Sequence, residues 1–159
     1  MIAFATDRGL SALEFLDPRR LDRFEARLAR WFGPLTFVDD PDVHVIATAS
    51  RWLSDYFEGS GADSREVQLD LRGTVFEQRV WAQLLDILPG STRTYGDIAR
   101  GLGKPNGARA VGLAVGANPV SIIVPCHRVV GASGSLTGYG GGLRRKAWLL
   151  RHETRWSPE

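Results

Sequence analysis

Residues 94–116 read TYGDIARGLGKPNGARAVGLAVG, and this stretch decides the fold. Thr94 caps a short helix through Asp97, Ile98 and Ala99. Gly101 to Pro105 supply turn chemistry, and the pattern predicts a second helix over 106–116. Two short helices joined by so brief a turn suggest a helix-turn-helix. The second has small residues at Ala108, Ala110, Gly112, Ala114 and Gly116, so its backbone can approach another surface closely. Small residues also serve tight helix packing, and at this level a DNA-binding motif and a purely structural turn both stand.

Upstream, Thr74 and Glu77 make a capping box ahead of Phe76, Val80, Trp81, Leu84 and Leu88, with Pro89-Gly90 as the stop. Two further apolar stripes, Leu21, Phe24, Leu28, Trp31 and Val45, Ala49, Trp52, Leu53, Tyr56, have the three-and-four spacing of helices with one buried face, and their aromatics read as core. Residues 1–6 and 11–16 are apolar runs around Asp7-Arg8-Gly9, a turn composition that favours an antiparallel hairpin. The polar run GSGADS at 59–64 precedes a change in charge sign, which puts a domain boundary near residue 70. The expected class is α/β (α+β): a small amino-terminal α/β structural domain over 1–69 with a short antiparallel sheet, then a mainly helical domain over 70–159.

A chain of 159 residues with 43% apolar and 24% charged content can bury one good core or two small ones. Its single cysteine closes no internal disulfide and supplies no cysteine-rich zinc site. No apolar run reaches membrane-spanning length, and charge at Asp7 comes too early for a signal peptide, so the expected location is cytoplasmic with no membrane partner. The charge is uneven. Residues 1–70 carry 8 basic and 13 acidic side chains, net −5, whereas residues 71–159 carry 12 and 5, net +7. A polyanion partner for the second half fits this asymmetry, as does mutual neutralisation of the two halves across an interface.

Downstream of the helix pair, SIIVPCHRVV at 121–130 is an apolar, β-branched run reading as a buried extended segment that ends at Cys126. A lone cysteine is commonly a small buried hydrophobe. His127 and Arg128 beside it point to a thiol of lowered pKa, although neighbours in an extended chain face opposite ways, so a bridging water between Cys126 and His127 is the reasonable link. His127 then needs a third group, such as a carboxylate, to orient it.

Five ordered blocks within about residues 66–153 resemble the O6-alkylguanine-DNA alkyltransferases: GTVFEQRVW (73–81), PGSTRTYGDIA (89–99), ARAVGLAVGANP (108–119), IIVPCHRVVGASGSLTGYGGG (122–142) and LRRKAWLLRHE (143–153). The first 65 residues resemble that family's variable amino-terminal α/β domain mainly through the early strand pair and RWLSDYFEG. The resemblance implies that Cys126 is the alkyl acceptor, its proton drawn through water to His127, which Glu153 orients. It further implies that Tyr95 and Lys146 stabilise the departing guanine, that Arg109 fills the space left in the base stack, and that Asn118 ties the helix-turn-helix to the acceptor segment. Thr94, Tyr95, Ala108, Ala110 and Gly112 join Arg109 on the DNA-binding side. Tyr139, Ser135, Gly140 and Val129 belong to the alkylguanine pocket, within a segment whose six glycines over 131–142 would otherwise read as a surface loop.

The implied partner is double-stranded DNA carrying O6-alkylguanine, bound through the minor groove by a monomer, with cooperativity on DNA left open. O4-alkylthymine is a second candidate substrate. A narrow groove excludes bulky side chains, which suits the small residues at 108–116. No metal and no cofactor are expected, since the zinc-binding cysteines of some relatives and the cysteine-rich sensor domain of adaptive-response regulators have no counterpart. Gly140 stands where relatives often have a small hydroxyl or alanine, so a guanine contact from that side chain is not expected. Without a resolving thiol, a thioether at Cys126 is final, and one turnover per molecule follows. Two other classes remain to be weighed: a non-catalytic lesion binder, against which Cys126 itself argues, and a Cys-His-Glu hydrolase, which would leave the helix-turn-helix and Arg109 without a purpose.

Overall fold

The computed structural model describes residues 1–16, 18–36, 38, 40, 43–59 and 63–156, and of residues 18–23 the backbone alone. The side chain of Leu21 and residues 60–62 of the polar run therefore lie outside the described residues. Strands β1 (Ile2–Thr6) and β2 (Gly9–Glu14) form the expected antiparallel hairpin, Ile2 opposite Glu14 and Thr6 opposite Gly9, with a register shift between Phe4 and Ala5. Two helices follow, α1 (Pro18–Phe32) and α2 (His44–Glu58), where the two apolar stripes place them.

Helix α3 (Val75–Leu85) starts at the Thr74 capping box: Thr74 Oγ1 accepts from the Glu77 amide at 3.3 Å, and Glu77 Oε2 accepts from the Thr74 amide at 2.7 Å. It ends earlier than the apolar spacing suggests. Leu88 stands outside the helix and is exposed, while Ile87 turns inward, its amide bonded to the Leu84 carbonyl. The helix-turn-helix consists of α4 (Tyr95–Gly101) and α5 (Ala108–Gly116). Thr94 and Asp97 make a second capping box at α4, whereas α5 begins at 108 rather than 106, with Gly107 as its cap. A two-residue parallel pair, β3 (Arg93–Thr94) with β4 (Val129–Val130), was not legible in advance, being too short for any period to show. Helix α6 (Leu143–Glu153) closes the fold.

The main core crosses residue 70, combining Leu10, Leu13, Trp52 and Tyr56 with Val80, Trp81, Ile98, Val111 and Leu149. Strand β2 explains how. Its Leu10 amide and carbonyl bond Gln68 and Asp70, and its Leu13 amide and carbonyl bond Pro119 and Ser121, so it is buried along its whole length. A smaller cluster of Ala12, Phe24 and Leu28 seats α1 on the other face of the hairpin. Trp81 Nε1 donates to the Ala114 carbonyl at 2.9 Å, pinning α5 to α3. Ala114 is thereby a core residue, and the small-residue stripe of α5 divides: Ala108, Ala110 and Gly116 are exposed, Gly112 half-buried and Ala114 buried.

The segment before Cys126 departs from an extended strand. Ile122, fully buried, has φ of 73°, a left-handed conformation that a β-branched side chain resists at about 1–3 kcal/mol. The chain loops over Asn118, whose Nδ2 donates to the carbonyls of Val120 (3.3 Å) and Val124 (2.8 Å) and whose Oδ1 accepts from the Val120 amide (3.0 Å). Cys126–Arg128 then form a 3₁₀ turn, so Cys126 and His127 are not the opposite-facing neighbours of a strand.

Substituting Thr74 by Ala removes one side of the α3 capping box and is expected to lower unfolding free energy by about 1 kcal/mol, with an unchanged denaturant slope in urea melts.

Candidate active site and nucleic-acid interface

Glu153, the last residue of α6, is fully buried, and five hydrogen bonds surround its carboxylate. Oε1 meets His127 Nε2 at 2.6 Å and accepts from Tyr56 Oη at 2.7 Å and Arg128 Nη2 at 2.9 Å. Oε2 accepts from Arg128 Nε at 2.9 Å and from the Gly90 amide at 3.3 Å. Burial pushes this carboxyl toward neutrality, but the bonds from His127 and Arg128 outweigh it and hold the pKa down to about 2. Glu153 is an anion at any ordinary pH. Arg128, whose Nη1 also donates to the Ile87 carbonyl at 2.5 Å, is committed to this carboxylate.

With Nε2 turned to Glu153, the nitrogen of His127 left for proton exchange is Nδ1, which is buried and has no hydrogen-bond partner among the described residues. Burial lowers the imidazole pKa, and the Glu153 bond opposes that only in part, so the ring rests neutral. Cys126 is almost fully buried, and burial raises its thiol pKa, with hydrogen bonding from Asn118 and the positive field of Lys146 acting against the shift and the negative field of Glu14 adding to it. This corrects the expectation of a lowered thiol pKa. The cation that favours the thiolate is Lys146, while Arg128 is spent on Glu153. A thiol in this state needs a base to take its proton before it can act as a nucleophile, and the neutral imidazole of His127 is the next residue of the same turn.

Lys146 is fully buried, with burial lowering its pKa, and its Nζ donates to the carbonyls of Val129 (2.5 Å) and Thr137 (2.7 Å). Tyr95 Oη donates to the same Thr137 carbonyl (3.2 Å) and to that of Gly138 (3.3 Å). The two side chains thus clamp the start of the glycine-rich wall. Gly141 lies deeper in that wall, where a Cβ would stand 2.6 Å from the Tyr139 ring and 3.0 Å from Phe15, so only glycine fits. The Tyr139 ring meets His127 edge-on at 6.4 Å.

An open cleft of about 750 Å³ runs beside this wall. It is lined by Thr94, Tyr95, Ala108, Arg109 and Gly112 of the helix-turn-helix, with Thr137 and Gly138 opposite. Ala110, Ser135 and Gly140 are exposed but outside this lining, Ser135 closing a turn through its carbonyl to the Gly131 amide, and Val129 is buried behind the wall. Sequence reasoning missed Tyr56 and the role of Arg128. The available signal was the tyrosine itself: a phenol at a buried stripe position, where Phe would pack equally well, needs a partner for its hydroxyl. Among the described residues no group of His, Cys, Asp and Glu is arranged to hold a metal, and no helix is long and apolar enough to cross a membrane.

The family model for the DNA-binding domain of 6-O-methylguanine DNA methyltransferase matches residues 75–155, from the first residue of α3 past Glu153. A methylated-DNA–protein-cysteine methyltransferase of Mycobacterium bovis is 56% identical over 118 residues, covering 74% of this chain and 71% of that protein. The crystal structure of Mycobacterium tuberculosis OGT in complex with DNA aligns with a TM-score of 0.81 at 44% identity, covering 98% of this chain and 87% of the other. The O6-methylguanine-DNA methyltransferase of Pyrococcus kodakaraensis, 27% identical, aligns with a TM-score of 0.74 over 96% of this chain and 89% of its own. The likeness thus extends to the amino-terminal hairpin and helices, and with His127, the neighbour of Cys126, bonded to the buried carboxylate of Glu153, the chain belongs to the methylated-DNA–protein-cysteine methyltransferase family.

Proposed function

We propose that this protein repairs alkylated DNA by transferring the alkyl group from O6 of guanine to Sγ of Cys126, once per molecule. The observation that carries the reading is the bond between His127 Nε2 and the buried anion Glu153, which leaves Nδ1 of a neutral imidazole to take the thiol proton in a family named for this reaction. The proton passes from Sγ through a water to Nδ1. The thiolate then attacks the alkyl carbon in line, the S–C bond forming as the C–O6 bond breaks with its electron pair on guanine, which recovers a proton. Glu153 stabilises the imidazolium formed on the way. Tyr95 supports the departing base from the cleft wall, and Lys146 does so through the field of its buried ammonium.

The cleft at the helix-turn-helix is the proposed seat of duplex DNA, with Ala108 and Gly112 giving the backbone close access to the minor groove. An alkylated guanine has to leave the stack to approach a thiol as buried as Cys126, at a cost of a few kcal/mol. Arg109, on α5 and lining the cleft, is the residue proposed to fill the space it leaves. Residues 1–69 are proposed to act as a structural domain whose β2 braces the acceptor loop, and the protein is proposed to work as a cytoplasmic monomer. O4-alkylthymine presents the same alkyl–oxygen bond and is the second substrate to test.

Incubating excess protein with duplex DNA containing one O6-methylguanine is expected to add one methyl group, mapped by peptide fragmentation to Cys126, and to restore guanine. The Cys126→Ser variant is expected to add none. Tight lesion binding without transfer would instead make the protein a lesion marker, and turnover on an ester or amide would make it a hydrolase.

The pH dependence follows from the direction of the histidine shift. A folded-state pKa below the ordinary 6.5 keeps His127 neutral through neutral pH, so the single-turnover rate is expected to stay flat there and fall on the acid side with a midpoint below 6.5. A midpoint above 6.5 would show instead that the Glu153 bond outweighs burial at His127. Arg109→Ala is expected to slow repair of duplex DNA about tenfold or more, with a much smaller effect on the same lesion in a single strand, because only the duplex has a stack to refill.

A further inference from the structure

We propose that Tyr56, on α2 in the first half of the chain, is a positioning residue for alkyl transfer: its hydroxyl holds the Glu153 oxygen that orients His127. The inference rests on the alkyl-transfer reading above and extends the proton relay into the amino-terminal half, outside the residues 75–155 matched by the family's DNA-binding domain.

Tyr56 is fully buried, and its Oη stands 2.7 Å from Glu153 Oε1, the same oxygen that His127 Nε2 meets at 2.6 Å. The rest of the residue is fixed independently. Its ring stacks on Trp52 at 5.3 Å and meets the edge of Trp156 at 4.9 Å, while its carbonyl meets His152 Nε2 at 2.7 Å. Consecutive residues of α6, His152 and Glu153, thus grip the two polar ends of one residue of α2. Packing alone would be satisfied by phenylalanine, and the hydroxyl adds a third donor to an oxygen that already has two. Burial and the adjoining carboxylate keep the phenol protonated, so it is a donor at every working pH.

The charged and titratable groups facing His127 are Glu153 and Lys146 of α6 and Arg128 of its own turn, with the Tyr139 ring alongside; those facing Tyr56 are Glu153, Arg128, Tyr139 and His152. Among the described residues, Tyr56 alone donates a neutral hydroxyl to Oε1. Removing it leaves Oε1 less encumbered and more basic, so it pulls harder on the imidazole proton, and His127 becomes protonated at a higher pH. The carboxylate also loses one of the bonds that fix its plane, and with it the orientation of the ring.

The test is single-turnover methyl transfer across pH for the full-length wild type, Tyr56→Phe, Glu153→Gln and the double variant, with urea melts and lesion-DNA binding in a Cys126→Ser background. Tyr56→Phe is expected to slow transfer about tenfold at neutral pH, shift the acid limb to higher pH and leave DNA affinity unchanged. In the Glu153→Gln background the same change is expected to add little, because Tyr56 acts through that carboxylate. An unshifted acid limb, or full additivity in the double variant, would show that the hydroxyl only supports the fold and would overturn the proposal. Should Tyr56→Phe not fold, 3-fluorotyrosine at position 56 keeps the shape and strengthens the donor; the acid limb then moves to lower pH, and an unmoved limb again overturns it. Absence of transfer by the wild type would strike the alkyl-transfer reading itself, a result separate from any effect at Tyr56.

Discussion

A carboxylate with no access to water organises this protein. Glu153 ends α6, yet its partners come from α2, from the turn after α3 and from the 3₁₀ turn that carries the thiol. An ion buried in this way is tolerable only when its lone pairs are occupied, and deleting one partner leaves charge that nothing else in the interior can absorb. The geometry of four residues from three separate parts of the chain is therefore set by one side chain. It also fixes the tautomeric choice at His127, because the nitrogen engaged with Glu153 cannot be the one that faces the thiol's proton.

The acceptor loop is held from the opposite side by a different device. Asn118 binds its backbone at Val120 and Val124, and β2 lies along it through Leu13, Pro119 and Ser121. Between those clamps Ile122 sits in a left-handed conformation, which a fully buried β-branched residue adopts only where surrounding bonds over-determine it. The strain is local and its consequence is directional: the chain reverses out of an extended path and enters the turn in which Cys126 and His127 are adjacent.

How much of this was legible in the sequence follows from range. The Thr74 capping box, the Thr94 cap, the apolar stripes of α1 and α2, and the two helices of the motif are local patterns, and the structure has them within two or three residues. The end of α3 was misjudged because Leu88 keeps helical spacing while the backbone has already turned at Asp86. The 3₁₀ turn at Cys126 was hidden because β-branched residues signal strand until a distant asparagine overrides them. Cys126 and His127 stood out in the sequence itself and Glu153 was named through family resemblance, whereas Tyr56 and Arg128 reach Glu153 across 97 and 25 positions and carry no local signature of their target.

The raised thiol pKa fits a reagent used once better than it fits a turnover enzyme. A thiolate standing free at neutral pH would react with oxidants and stray electrophiles, and every such event would consume a molecule of repair capacity. Here the resting state is a protonated thiol beside a neutral imidazole, almost sealed from solvent. In the proposed reaction, charge separation between Cys126 and His127 becomes favourable only when an alkyl carbon is in place to take the sulfur's electrons, with the relay water still between thiol and imidazole. On the proposed mechanism, burial that weakens the nucleophile at rest thus protects it, and the anion at Glu153 supplies, at the moment of reaction, the stabilisation that solvent does not.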